Sequence, residues 1–132
     1  MSAKYIKKID PFFTDERGPM SYLTDSEVKF PISEVFWIDS KKGAIRANHY
    51  HKKDQHVMYL VSGQLEYITK DMRVENAPVE KVVVNPGELI VSPSMIAHKV
   101  RFLEDSLIVC ITSEPRDRAH YEDDTVRLEV EE

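Results

Sequence analysis

An all-β domain, built as a sandwich or a small barrel, is the fold class this sequence predicts. Three observations lead there. Eight runs of four to eight residues are rich in β-branched and aromatic side chains. Gly and Pro punctuate the chain between them, and no stretch carries a sustained helical period. The 132 residues are 42% hydrophobic and 31% charged, enough for one compact domain with a core and a polar surface.

The runs fall at 34–39 (EVFWID), 44–51 (AIRANHYH), 56–61 (HVMYLV) and 64–69 (QLEYIT), then at 81–84 (KVVV), 88–91 (ELIV), 97–102 (AHKVRF) and 107–112 (LIVCIT). Ser62-Gly63 joins two of them as a tight hairpin, with Gly supplying a positive φ. Pro86-Gly87 fits the central positions of a type II turn. Residues 70–80 are polar, contain Pro78 and read as a loop.

Charge and composition exclude several functions. A net charge of -5 argues against nucleic acid as partner. No apolar run exceeds five residues, far below the ~20 of a membrane-spanning helix. The first ten residues carry three lysines and no apolar stretch of the secretory kind. Cys110 is the only cysteine, so no internal disulfide or CxxC site exists. A cytoplasmic protein with no membrane partner is expected. The charge is also unevenly placed. From Glu114 to Glu132 there are eight acidic and three basic residues, leaving fifteen of each sign in the rest. The expected organisation is therefore a β-domain at 1–113 and an acidic extension at 114–132. That extension is either a solvated tail or an ordered arm, because Val126, Leu128 and Val130 alternate with polar residues at strand period and can pair with a sheet edge.

Four of the five histidines fall on predicted strands. Strict alternation puts Ile45, Ala47, His49 and His51 on one face and Arg46, Asn48 and Tyr50 on the other. His56 shares a face with Met58 and Leu60, and His98 with Val100 and Phe102. All four thus point with apolar neighbours into the interior of the sheet. One histidine there would be an ordinary core residue. Four need partners for eight ring nitrogens, and two devices can supply them. One is a metal held by His49, His51, His56 and His98, where neutral imidazoles suit Zn, Ni, Fe or Cu over Mg or Ca. The other is a metal-free acid/base pair with hydrogen-bonding neighbours. His120 lies in the acidic tail, away from these strands.

The spacing resembles the cupin superfamily. Gly43, five residues, His49-Tyr50-His51, four residues, His56, six residues and Gly63 follow the first cupin motif, with His56 where cupins usually carry Glu. Gly87, Pro93 and His98 follow the second, with Met95 in place of an internal Gly and Phe102 in place of a final Asn. The resemblance implies a double-stranded β-helix, the jelly-roll barrel. Phe13 to Gly18 (FTDERG), the strand Val35-Phe36-Trp37-Ile38 and Arg46-Ala47-Asn48-His49-Tyr50-His51 further resemble the nucleotide-sugar cupins. These are the dTDP-4-dehydrorhamnose 3,5-epimerases and dTDP-4-keto-6-deoxyhexose ketoisomerases, and the segment ending at Gly63 is similar to the cupin domain of capsular polysaccharide enzymes. Ala47 replaces a Gly of that pattern.

This second resemblance implies an isomerase, an epimerase or ketoisomerase acting on a nucleotide-linked 4-keto-6-deoxysugar in deoxysugar or polysaccharide biosynthesis. His49 and His51 would be its acid/base pair and no organic cofactor would be needed. Arg17 and Arg46 are the candidates for the substrate pyrophosphate, since guanidinium forks suit phosphate. Trp37 is the candidate for stacking a base or sugar, with a core role as its alternative. A homodimer is implied as well. Two rival functions stay open for such a barrel, a metal-dependent reaction of another class such as a dioxygenase, and non-catalytic binding of a small ligand.

Overall fold

The computed structural model describes residues 4–115 and 117–132. Its strands are β1 (Ile6–Lys8), β2 (Phe13–Asp15), β3 (Gly18–Met20), β4 (Glu34–Ser40), β5 (Ile45–His51), β6 (His56–Ser62), β7 (Leu65–Asp71), β8 (Glu80–Val84), β9 (Glu88–Ser92), β10 (Ile96–Phe102), β11 (Ser106–Thr112) and β12 (Thr125–Arg127), with one helix, α1 (Arg118–Asp124), before the last. All eight predicted runs are strands. The N-terminal strands, three residues each, are too short to give a periodic signal.

Two five-stranded antiparallel sheets in the orders β1-β9-β6-β11-β4 and β12-β5-β10-β7-β8 form the double-sheet barrel implied by the motif spacing, with β2-β3 as a separate hairpin. Alternation along the strands fills the interior. Met58, Leu60, Leu65, Tyr67, Val84, Ile90, Val100, Phe102, Ile108 and Cys110 form the main buried cluster. A second cluster of Val28, Val57 and Leu89 packs on the outside of the first sheet. Among the described residues, no helix is long and apolar enough to cross a membrane.

The C-terminal arm is ordered. Thr125, Val126 and Arg127 pair with His51, Tyr50 and His49 along the edge of β5. Val130 is buried with Ile68 and Ala97. The arm's acidic groups meet a basic stripe on the second sheet. The Glu132 carboxylate contacts Lys81, Lys99 and Arg101, and Glu129 pairs with Lys99 at 3.0 Å. These cations, chiefly the Arg101 guanidinium, hold the Glu132 carboxyl far below the usual carboxylate range.

Turn chemistry fixes the register. The Glu88 amide donates to Asn85 O at 3.2 Å across Pro86-Gly87, and Gly87 has φ +89, as a type II turn requires. Gly63 has φ +95, and a Cβ there would lie 2.5 Å from Asp105 O and 2.7 Å from Ser106 Cα, closer still to Ser106 Oγ. At Gly87 a Cβ would meet nothing within 4 Å. Gly87→Ala should therefore cost only the left-handed backbone term, ~1–2 kcal/mol. Gly63→Ala should cost ~3 kcal/mol or more, because backbone crowding is added. Urea denaturation of the two variants checks this; equal losses would show that the Ser106 contact does not restrain the turn.

Candidate active site

The four histidines meet at one end of the barrel because topology places the ends of their strands there. His49 and His98 are cross-strand partners on β5 and β10. His51 ends β5 and His56 begins β6 in the facing sheet, with only residues 52–55 between them. Ring centroids lie 4.6 Å apart for His49–His51, 4.8 Å for His49–His98, 5.4 Å for His56–His98 and 5.5 Å for His51–His56. All four are buried. They line a cavity of about 180 Å³ walled by Phe36, Ile38, Arg46, Met58, Phe102 and Tyr121, among others.

Strict alternation fails within β5. Ala47 (φ 71) and Asn48 (φ 59) are both left-handed, and the pairing slips so that Lys99 faces Ala47 while His98 faces His49. Asn48 is the extra residue of a β-bulge, and a bulge resets the side on which side chains emerge. Arg46 therefore shares the cavity with His49 and His51, whereas Ile45, expected inside, is 50% exposed. Met95, just before β10, is left-handed too at φ 67. Both positions where the motif comparison expects Gly, 47 and 95, thus keep the backbone that Gly would favour while carrying a side chain.

Each of three imidazoles offers its Nδ1 to an acceptor outside the cavity. His98 Nδ1 lies 3.1 Å from Ile96 O. His51 Nδ1 lies 3.3 Å from Thr125 Oγ1 and 3.6 Å from Asp124 Oδ2. His56 Nδ1 stands 3.5 Å from Asp54 Oδ2, in ion-pair range but without hydrogen-bond alignment. This arrangement turns the Nε2 edges toward one another across the cavity. Asp54 is 3% exposed. Its Oδ1 accepts from the Ser113 and Glu114 amides and the Ser113 hydroxyl, each at 3.2 Å. Burial opposes its ionisation, but His56, His51 and Ser113 outweigh that and hold its carboxyl below the usual range. His98 goes the other way. Burial first, then the neighbouring His56 and His49, push it well below the usual imidazole value.

Of the residues expected to touch substrate, Arg46 is at the cavity. Its Nε donates to Ser40 Oγ at 2.7 Å and its Nη2 to Asp39 O at 3.2 Å, which fixes the guanidinium plane. Arg17 sits on the β2–β3 hairpin, paired with Asp15 and 79% exposed in its side chain. Trp37 is 70% exposed on the outer face of β4 and outside the cavity lining, so its core alternative is not realised. Its inward neighbours Phe36 and Ile38 line the cavity instead. His120 is on the exposed side of α1, paired with Asp117. Sequence reading missed Tyr121, Asp124 and Thr125, which reach the histidines from the arm. No spacing rule connects a tail to a motif seventy residues earlier.

A jelly-roll barrel with a four-histidine cavity at one end is the class of protein that fold and site define, a cupin. Residues 2–129 match the family model for FdtA, described as WxcM-like, C-terminal, and the chain belongs to that family. Among curated proteins, no sequence matches the chain. Solved structures share its fold. A 3,4-ketoisomerase from Helicobacter canadensis superposes with a TM-score of 0.78 at 20% identity, over 93% of this chain and 89% of that one. The sugar 3,4-ketoisomerase QdtA from Thermoanaerobacterium thermosaccharolyticum, solved with TDP, gives 0.76 at 19% over 96% and 90%. A dTDP-4-dehydrorhamnose 3,5-epimerase from Sulfolobus tokodaii gives 0.74 at 17% over 93% and 75%.

The His98 environment sets a pH dependence. The unfolded chain takes up a proton near pH 6.5 and the folded chain resists it, so the unfolded state binds more protons below that pH. Stability should then fall on acidification by up to ~1.4 kcal/mol per pH unit for this group. His98→Gln should flatten the slope. Urea midpoints measured from about pH 8 down to about pH 5 check it; a profile unchanged by the substitution would rule the effect out.

Proposed function

We propose that this protein is an isomerase of a nucleotide-linked 4-keto-6-deoxysugar, moving the carbonyl between C3 and C4 by proton transfer in deoxysugar or polysaccharide biosynthesis. The observation that carries the reading is the His49–His51 pair, 4.6 Å apart on one wall of the cavity. A hydrogen on the carbon beside a ketone is acidic, and removing it needs a base within ~3 Å and a donor for the enolate oxygen. Neutral His49 takes the C3 proton while protonated His51 gives its own to the C4 oxygen, which leaves an enediol. His51 then takes the O3 proton as His49 returns a proton to C4, so the carbonyl forms at C3 and both imidazoles regain their starting states. One wall of proton carriers serves this same-face transfer, whereas inversion at carbon needs a second donor across the ring. Similarity to solved 3,4-ketoisomerases supports the same reading. The sugar would occupy the cavity, with the remaining Arg46 N–H groups directed to the pyrophosphate.

In heavy water, TDP-4-keto-6-deoxyglucose should gain deuterium at C4 and appear as the 3-keto sugar. His49→Asn should slow this by at least ~100-fold. Deuterium uptake with inverted configuration and an unmoved carbonyl would replace migration by epimerisation, and no uptake would overturn the isomerase.

His56 and His98 favour a second reading, because the proton relay does not use them. Donor atoms of His49, His51 and His98 lie within 4.8 Å of one another, as do those of His51, Asp54 and His56. Imidazoles with Nδ1 held by carbonyl, hydroxyl or carboxylate groups match the usual surroundings of metal-bound histidine. His49, His51, His56 and His98 would hold a Zn, Ni, Fe or Cu ion, which would supply Lewis-acid polarisation of the ketone. A second copy of the chain is the partner that best fits the outer surface. Val35 and Trp37 are 53% and 70% exposed on β4, the last strand of its sheet, and Phe12, Phe13, Met20 and Tyr22 on and beside the β2–β3 hairpin are exposed too. Native mass spectrometry of untagged, chelator-free protein should give a two-chain mass, carrying one transition metal per chain if the second reading holds. A single-chain mass refutes the dimer, and a metal-free mass after reconstitution leaves the bare acid/base pair.

A further inference from the structure

We infer that the C-terminal arm is part of the working site, and that Asp124, with Thr125, is the positioning residue that holds His51 with its proton on Nδ1. The inference rests on the isomerase reading for its kinetic consequence and on geometry alone for the tautomer.

The arm grips the His49–His51 segment at both ends. At the bulge, Asn48 O accepts from the Leu128 amide at 3.0 Å, and Asn48 Oδ1 accepts from the Val130 amide at 3.2 Å. Both oxygens of the bulge residue Asn48 thus accept from amides of the arm. Beyond His51, Asp124 Oδ1 accepts from the Lys53 amide at 2.7 Å and Oδ2 from the Asp54 amide at 3.0 Å, while Asp124 O accepts from the Lys52 amide at 2.9 Å. Between these clamps β12 pairs with His49, Tyr50 and His51. The Tyr121 ring, one turn before Asp124, closes the cavity at 5.7 Å from the His51 ring and 6.4 Å from that of His49.

Asp124 is therefore fixed by two backbone donors, with a carboxylate oxygen 3.6 Å from His51 Nδ1. A carboxylate is acceptor-only, and its charge at this distance favours N–H on the nitrogen that faces it. Thr125 Oγ1 lies 3.3 Å from the same nitrogen and can accept from that N–H. With Nδ1 protonated, His51 Nε2 carries the lone pair, and that is the nitrogen that gains and loses the working proton. The reacting groups sit on adjacent ring carbons, C3 and C4, which leaves little tolerance here, since a wrong tautomer presents N–H where a base is needed.

The test is Asp124→Asn in the full-length chain, beside Thr125→Val and, as a control in the exposed part of the arm, Glu131→Gln. The Asn oxygen can still accept a backbone amide, while its NH₂ faces His51 Nδ1 and favours the proton on Nε2. Long-range ¹⁵N–¹H spectra of the histidine rings, taken at a pH where His51 is neutral, should show it as the Nδ1–H tautomer in wild type and shifted toward Nε2–H in Asp124→Asn. Turnover of the 4-keto sugar should fall at least ~10-fold in kcat with KM within about threefold, and Glu131→Gln should match wild type. Unchanged His51 spectra and turnover within twofold in Asp124→Asn would overturn the proposal. Should Asp124→Asn unfold, Thr125→Val carries the same two readouts with a smaller expected loss. If wild type turns over no keto sugar, the isomerase reading fails while the tautomer measurement still decides the positioning role.

Discussion

The constraint on which the rest of the structure depends is the left-handed bulge at Ala47–Asn48. A regular β5 would send Arg46 to the side opposite His49 and His51, and the strand would offer the cavity two imidazoles without a cation. One extra residue brings all three to the same side. Left-handed backbone at residues with a Cβ is costly, on the order of 1–2 kcal/mol each, and such conformations persist only where the surroundings determine them. Here β10 holds one flank of the bulge, and the arm takes up Asn48 O and Oδ1 on the other. The tail is thus bonded to the bulge, and its course along β5 brings Tyr121, Asp124 and Thr125 to the histidines.

Much of this was legible in the sequence and some was not, for reasons that can be named. The eight long strands announce themselves by β-branched runs between turn residues, because alternate burial demands that pattern. His56 and His98 were placed correctly by parity, since β6 and β10 are regular up to those residues. On β5 parity put Ile45 inside and Arg46 outside, the reverse of what is observed, because a bulge changes the count without marking the composition. The Gly that would betray it is Ala47 here. Residue type alone offers Trp37 a core role, whereas its two neighbours are the ones that face inward. The arm could be read as a candidate strand from Val126, Leu128 and Val130, but its partner could not. Edge pairing is decided by a distant strand's unsatisfied groups, and those are absent from the local sequence.

The uneven charge has a physical account in the same arm. A segment of net charge -5 would repel itself if left in solvent. It lies instead across Lys81, Lys99 and Arg101, with Lys99 only 8% exposed. Individually, exposed ion pairs contribute little. Shared on one carboxylate beside a buried Val130, they add direction to the apolar docking of the arm, so that hydrophobic contact supplies adhesion and charge supplies register.

Burying four imidazoles in one cavity is affordable only if none need carry a charge unaided, and the Nδ1 partners provide for that. A backbone carbonyl for His98, a hydroxyl and a carboxylate for His51, and a carboxylate for His56 form a graded series. A carbonyl supports the neutral ring, and burial keeps His98 there. A carboxylate supports a ring that must become cationic for part of a cycle. The gradient therefore separates His98, kept neutral by burial, from His51 and His56, which stand beside carboxylates. A proton relay needs such inequality, because two equivalent bases would share a proton and neither would be poised to give or take one. The same inequality would make the imidazoles unequal ligands for a metal. In either chemistry, the carboxylates Asp54 and Asp124 give His56 and His51 surroundings unlike that of His98.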